Sequence, residues 1–190
     1  IKQALQHKVP VPFPAVPLNP TQFTCSEEED LALEFASNFS NLQGRFSYCA
    51  NESELIIQLK TLIETRKWDK LFCREIALQN NLAAAGLGLQ YSDDLNSCDC
   101  AITGCEYLVA RTGSILLSSA SESGRTTSVY TPVHICIAYS SQLLHDTDDA
   151  LMRLREKYGA HFPSLVSLAT GPSRTADIEK TLVVGVHGPK

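Results

Sequence analysis

Between Ser26 and Tyr91 the chain alternates helical and strand-like periods, and that alternation limits its fold more than any other feature. Ser26-Glu27-Glu28-Glu29 forms a capping box, after which Leu31, Phe35 and Phe39 recur every four residues, so a helix is expected over 26–39. Arg45–Cys49 (RFSYC) reads as a short alternating strand. Asn51 with Glu54 makes a looser cap, and Leu55, Ile56, Leu59, Leu62 and Ile63 form one apolar face over an expected helix 52–65. A strand at Lys70–Cys73, a helix at Glu75–Ala85 and a further strand at Leu87–Tyr91 continue the pattern. A β-α-β-α order with helical crossovers implies a parallel sheet.

The second half changes character. Cys98–Thr103 (CDCAIT), Leu108–Thr112 and Ser114–Leu117 (SILL) read as strands. From Thr112 to Thr131 half of the residues are Ser or Thr, with no helical period, which suggests short antiparallel strands joined by polar turns. Val133–Tyr139 (VHICIAY) is apolar at nearly every position, as a strand covered on both faces would be. Gln142–Leu144 is a candidate edge strand. Thr147-Asp148-Asp149 places acid in the first turn of a helix whose later turns carry Arg153, Arg155 and Lys157, with Gly159 as its stop. The expectation is a single α/β domain over 25–190, an open and mostly parallel sheet with an antiparallel Ser/Thr-rich middle section. Residues 1–24 precede it as an arm, with five prolines in VPVPFPAVPLNP at 9–20 that cannot continue a helix.

A formal net charge of −5 argues against a nucleic-acid surface. No apolar run reaches the length of a membrane span. The first residues interleave Val and Pro and lack the continuous apolar stretch of a secretory signal. Seven cysteines, at 25, 49, 73, 98, 100, 105 and 136, are odd in number and scattered, and most fall in expected strands. They read as free thiols in a reducing, cytoplasmic setting. Cys98-x-Cys100-x4-Cys105 lacks the paired C-x2-C spacing of zinc and iron–sulfur motifs, so core cysteines are the favoured reading and no metal is assigned. No G-x-G-x-x-G follows an expected strand.

The stretch Leu165–Pro189 holds most of the candidate chemistry. An apolar run, Leu165–Ala169, stops at Thr170-Gly171-Pro172-Ser173-Arg174-Thr175, and a short helical segment, Ala176–Lys180, is expected before Val186-His187-Gly188-Pro189. A strand that breaks at glycine and restarts as a helix aims free N–H groups and a positive helix end at one spot, which suits an anion. Gly171 would allow close approach, Arg174 offers a planar fork, and Ser173 or Thr175 can cap. The alternative is that both hydroxyls only cap and that Arg174 pairs with Asp177 or Glu179. His187 and Gly188 end a strand with room for a ligand, although a lone histidine is more often structural. His134 reads as a core histidine. A hydrolase with Ser173, His187 and Asp177 is disfavoured, since Ser173 is not in a G-x-S-x-G elbow.

The run TGPSRTADIEKTLVVGVHGP resembles the C-terminal signature of the LUD (lactate-utilisation) domain family, in particular its lactate-utilisation C branch. The resemblance continues through Gly104-Cys105-Glu106, Ala110-Arg111-Thr112-Gly113-Ser114, Arg125 and Thr131-Pro132-Val133-His134-Ile135. It implies a fold like the NagB/RpiA/CoA-transferase group and a part in oxidising L-lactate to pyruvate. It also implies iron–sulfur partner subunits, with no cofactor in this chain. Arg111 stands where the family usually carries an acid before Thr-Gly, unless Glu106 substitutes for it. On the resemblance, the binding candidates are Glu106, Thr112, Gly113, Arg125, Gly171, Ser173, Arg174, Thr175, Asp177, His187 and Gly188. No residue is assigned as catalytic. The other reading is a stand-alone enzyme on a small phosphorylated or carboxylate substrate, with Glu106, Arg174 or His187 as acid, clamp or base.

Overall fold

The computed structural model describes residues 28–172, 174–176, 182–184 and 189. The proline-rich arm, Ser173, Asp177, His187 and Gly188 lie outside the described residues.

Helix α1 (Glu28–Asn41) and helix α2 (Glu52–Arg66) come first. The start of α2 is local chemistry: the Asn51 side chain accepts from the Glu54 amide at 3.0 Å, and Glu54 takes the Ala50 N–H at 2.9 Å. Its end is Lys67 in the left-handed region, with Lys67 and Trp68 donating back to Glu64 and Ile63. Strand β1 (Leu71–Phe72), α3 (Ile76–Ala84) and β2 (Cys100–Thr103) follow. β3 (Tyr107–Val109) and β4 (Ser114–Ser118) form a hairpin, with the short α4 (Thr127–Tyr130) after it. β5 (His134–Cys136), β6 (Leu143–Leu144), α5 (Thr147–Tyr158) and β7 (Val166–Ala169) precede a last pair, β8 (Arg174–Ala176) and β9 (Leu182–Val184).

The fold is α/β, as expected, and its strands divide into separate sheets. β1-β2-β5 is wholly parallel. In β6-β3-β4-β7 the β3–β6 pair is parallel, while β4 runs antiparallel to both β3 and β7. The period of two sorts side chains between the layers of this mixed sheet. Leu108, Ala110, Ile115 and Leu143 face α1 through Leu31, Phe35 and Phe39. Tyr107, Val109, Leu116 and Leu144 face α5 through Ala150 and Leu154. In the parallel sheet Ile102 meets α2 and α3 at Leu59 and Leu82, and its neighbour Ala101 packs with Phe72 and Cys98 on the other face.

Several expectations change. Residues 45–49 form no strand and pair with none among the described residues. At 87–91 only an isolated bridge, Leu71 with Tyr91, forms. β5 lies at the described edge of the parallel sheet and is half-buried throughout, not covered on both faces. The Ser/Thr-rich section contains α4, whose start and end are held by Thr127 and Thr131 hydroxyls donating to Ser123 and Thr127 carbonyls. Ala176, expected to open a helix, is in β8, paired in register with Leu182 of β9. That pairing satisfies backbone groups that a helix start would have left free; residues 177–180 lie outside the described residues.

Candidate functional site

The chain leaves the parallel sheet at the carboxyl end of β2 and enters the mixed sheet at β3, through Gly104-Cys105-Glu106. Beside this junction lies a cleft of about 320 Å³, walled by Gly104, Cys105 and Glu106, by the Ser118–Gly124 loop, and by the end of α5 at Lys157 and Tyr158. Crevices outside the carboxyl ends of parallel strands are where open α/β sheets hold ligands.

Glu106 is buried, and three donors converge on it. Ser118 Oγ and Tyr158 OH donate to Oε1 at 2.5 and 2.7 Å, and Lys157 Nζ donates to Oε2 at 2.8 Å. Burial works to raise its pKa, but these bonds and the Lys157 charge outweigh burial and hold the carboxyl below the ordinary glutamate range. Burial works to lower Lys157, and the Glu106 bond and charge hold it above its usual value instead. Glu106 is therefore a fixed anion, poorly suited to the role of general acid. Lys157 is half-exposed, so the pair presents an ammonium at the rim and a carboxylate inside.

A second carboxylate organises the opposite wall. Glu75 accepts from the Gly104 amide at 2.9 Å and from Ser123 and Ser121 hydroxyls at 2.7 and 3.2 Å. A Cβ at Gly104 would lie 3.0 Å from the same carboxylate oxygen, so glycine allows this close approach. Thr103 Oγ1, at the end of β2, donates to the Gly104 carbonyl at 2.8 Å and meets His134 Nε2 at 2.8 Å. A hydroxyl carries one proton, so His134 must donate here from Nε2 as neutral imidazole. Burial pushes its pKa down to about 4. His134 is a satisfied structural histidine, as its apolar strand suggested.

The other expected residues lie elsewhere. Arg125 is exposed and donates to Ser164 Oγ. Thr112 and Gly113 sit at the far end of the β3–β4 hairpin from Glu106, where Thr112, Ser114 and Thr170 hydroxyls form a chain with links of 2.8 Å. Gly113 has φ +60°, and a Cβ there would lie 2.6 Å from Phe39 N; Gly171, at φ +79°, faces Leu42 Cβ and O at 2.9 Å. Both glycines are places where the sheet meets the end of α1. Asn38 reinforces that seam by donating to the Ala110 and Arg111 carbonyls at 3.0 and 3.1 Å. Arg111 makes a two-pronged pair with Asp146, the cap of α5, at 2.9 and 3.0 Å. Arg174 and Thr175 lie in β8. Of the candidates among the described residues, the structure places only Glu106 on the cleft. Its partners Lys157 and Ser118 and the second carboxylate, Glu75, went unnoticed in the sequence, where Lys157 looked only like a charge suited to a helix end.

Residues 33–190 match the LUD domain. The chain belongs to the LUD domain family. Lactate utilization protein C of Geobacillus thermodenitrificans is 36% identical over 107 residues, 55% of this chain and 45% of that protein. Lactate utilization protein C of Bacillus subtilis is 38% identical over 90 residues, covering 46% and 38%. An uncharacterized protein of Neisseria meningitidis is 39% identical over 93 residues, covering 48% and 39%. The matches thus span less than half the length of these curated relatives. A crystal structure of a DUF162 family protein from Deinococcus radiodurans superposes with a TM-score of 0.62 over 87% of this chain and 94% of that one, at 16% identity. That likeness establishes the fold. No helix among the described residues is long and apolar enough to cross a membrane, and no group of three His, Cys, Asp or Glu side chains among them could hold a metal ion.

Proposed function

We propose that this LUD domain serves lactate utilisation as a subunit of an L-lactate oxidation system, beside iron–sulfur partner proteins and without a redox centre of its own. The observation that carries this reading is the family match over 33–190, together with several relatives named lactate utilization protein C. The cleft at Glu106 suits a small carboxylate. Its donor for such a ligand is the half-exposed Lys157 ammonium at the rim, which gives one N–H to Glu106 and keeps others for a ligand.

Co-expression with the iron–sulfur subunits of lactate oxidation tests the assembly. A stoichiometric complex on size exclusion is expected, with iron confined to the partners; a chain that never associates with them would sink the proposal. The cleft favours a second reading, a stand-alone enzyme on a small carboxylate or phosphorylated substrate, because Lys157 and Tyr158 stand at the carboxyl end of a parallel strand. Turnover of such a substrate by the isolated chain, lost in Lys157→Ala, would separate that reading from the first.

A further inference from the structure

The cysteines differ in their surroundings. Cys73, Cys98 and Cys100 are buried, and each thiol donates to a backbone carbonyl. Cys105 and Cys136 are both partly exposed, and the junction of the two sheets sets them against each other. The parallel ladder pairs Cys136 of β5 with Thr103 of β2, and the Ile137 amide donates to the Thr103 carbonyl at 2.8 Å. Cys105 follows Thr103 by two residues, so it leaves β2 on the face that carries Cys136. Their thiols lie within hydrogen-bonding reach of each other. Cys105 also lines the cleft at Glu106, which gives it a route to small molecules from solvent. Its partner in space is therefore Cys136, not a member of the Cys98-x-Cys100-x4-Cys105 set that sequence spacing singles out.

We propose that Cys105 and Cys136 form a reversible dithiol–disulfide couple, oxidised by a small hydroperoxide that enters the cleft. Cys105, on the cleft, attacks first. Its thiolate sulfur bonds to one peroxide oxygen, the O–O bond breaks, and the other oxygen takes a proton and leaves as water. Cys136 then resolves the sulfenic acid. Its sulfur bonds to the Cys105 sulfur, the S–O bond breaks, and hydroxide leaves as water with the Cys136 proton. Two thiols and one hydrogen peroxide become one disulfide and two waters, so two electrons pass from the sulfurs to the peroxide. The order of attack agrees with the surroundings of Cys136. The hydrogen bond to Cys105, burial and the Glu75 charge all push its thiol well above the usual range, so it keeps the proton needed for the second step. Cys105 lies between Gly104, whose amide Glu75 holds, and Glu106, so the disulfide ties that wall of the cleft to β5. The inference does not depend on the lactate reading.

Peptide mapping of the full chain tests it. The reduced protein is treated with hydrogen peroxide, denatured, alkylated with N-ethylmaleimide and digested without reductant. Mass spectrometry should find Cys105 and Cys136 linked in material that runs as a monomer on a non-reducing gel. Cys73, Cys98 and Cys100 should carry the alkyl group, and dithiothreitol should restore both linked thiols. Cys136→Ser should stop the reaction at the Cys105 sulfenic acid, trapped as its dimedone adduct, and Cys105→Ser should leave Cys136 as a thiol. Two thiols that merely pack together would show neither the link nor this division of roles. The proposal fails if the wild type gives no Cys105–Cys136 link, if peroxide links other cysteines instead, or if dimedone marks Cys136 in preference to Cys105.

Discussion

His134 shows how one side chain ties the strand end to pH. It is neutral in the fold, donates from Nε2 to Thr103, and has its pKa pushed down to about 4 by burial. An unfolded histidine titrates near 6.5, so between these values the unfolded chain binds more protons and stability rises with pH. Acidification from neutrality toward pH 4 should therefore remove about 3 kcal/mol through this one group. Urea unfolding at pH 7 and pH 5 should show a smaller loss for His134→Gln than for the wild type; an imidazole titrating near 6.5 by NMR would overturn the account. Glu106 acts in the same direction at lower pH. Its folded pKa lies below the unfolded value, so its contribution is present above about pH 4.3 and is lost as pH falls through the folded value.

The elements divide by how local their causes are. α2 begins at a cap whose donor and acceptor are three residues apart, so its extent could be read from the sequence nearly residue by residue. Asn51→Ala should cost about 1 kcal/mol in chemical unfolding, and a change below the error of the measurement would show that the cap is dispensable. α5 depends on packing instead: Leu154 is fully buried against the mixed sheet, with Val109 and Leu116 in the same cluster. Leu154→Ala should cost about 2–5 kcal/mol, well above the cap substitution. The short strands were less legible. RFSYC alternates as a strand should, but a strand exists only where a partner edge accepts it, and none does so at 45–49 among the described residues. α4 escaped notice for the opposite reason. Four residues cannot show a period, and the hydroxyls that hold it mark turns as readily as helix ends.

Across the whole molecule, the stable centre is where the two sheets join. Cys100, Ala101, Ile102, Val109, Ala110 and Leu116 are fully buried, and they lie in or directly beside β2, β3 and β4. Hydrogen exchange should be slowest for the amides of these strands and faster in 45–49; faster exchange in β2 than in that stretch would contradict this centre. The sequence by itself determined the α/β class, the helices with local caps and the family, because these rest on periodicity and on contiguous residues such as Thr170–Pro189. Tertiary structure alone decided the cleft. Glu106 meets Lys157 across 51 positions and Glu75 meets Ser123 across 48, and no short-range pattern encodes which carboxylate a distant ammonium or hydroxyl will reach. It also decided what the glycines are for. Gly171 looked like room for a ligand's close approach and Gly113 was a binding candidate on the resemblance, and the end of α1 fills the space at both.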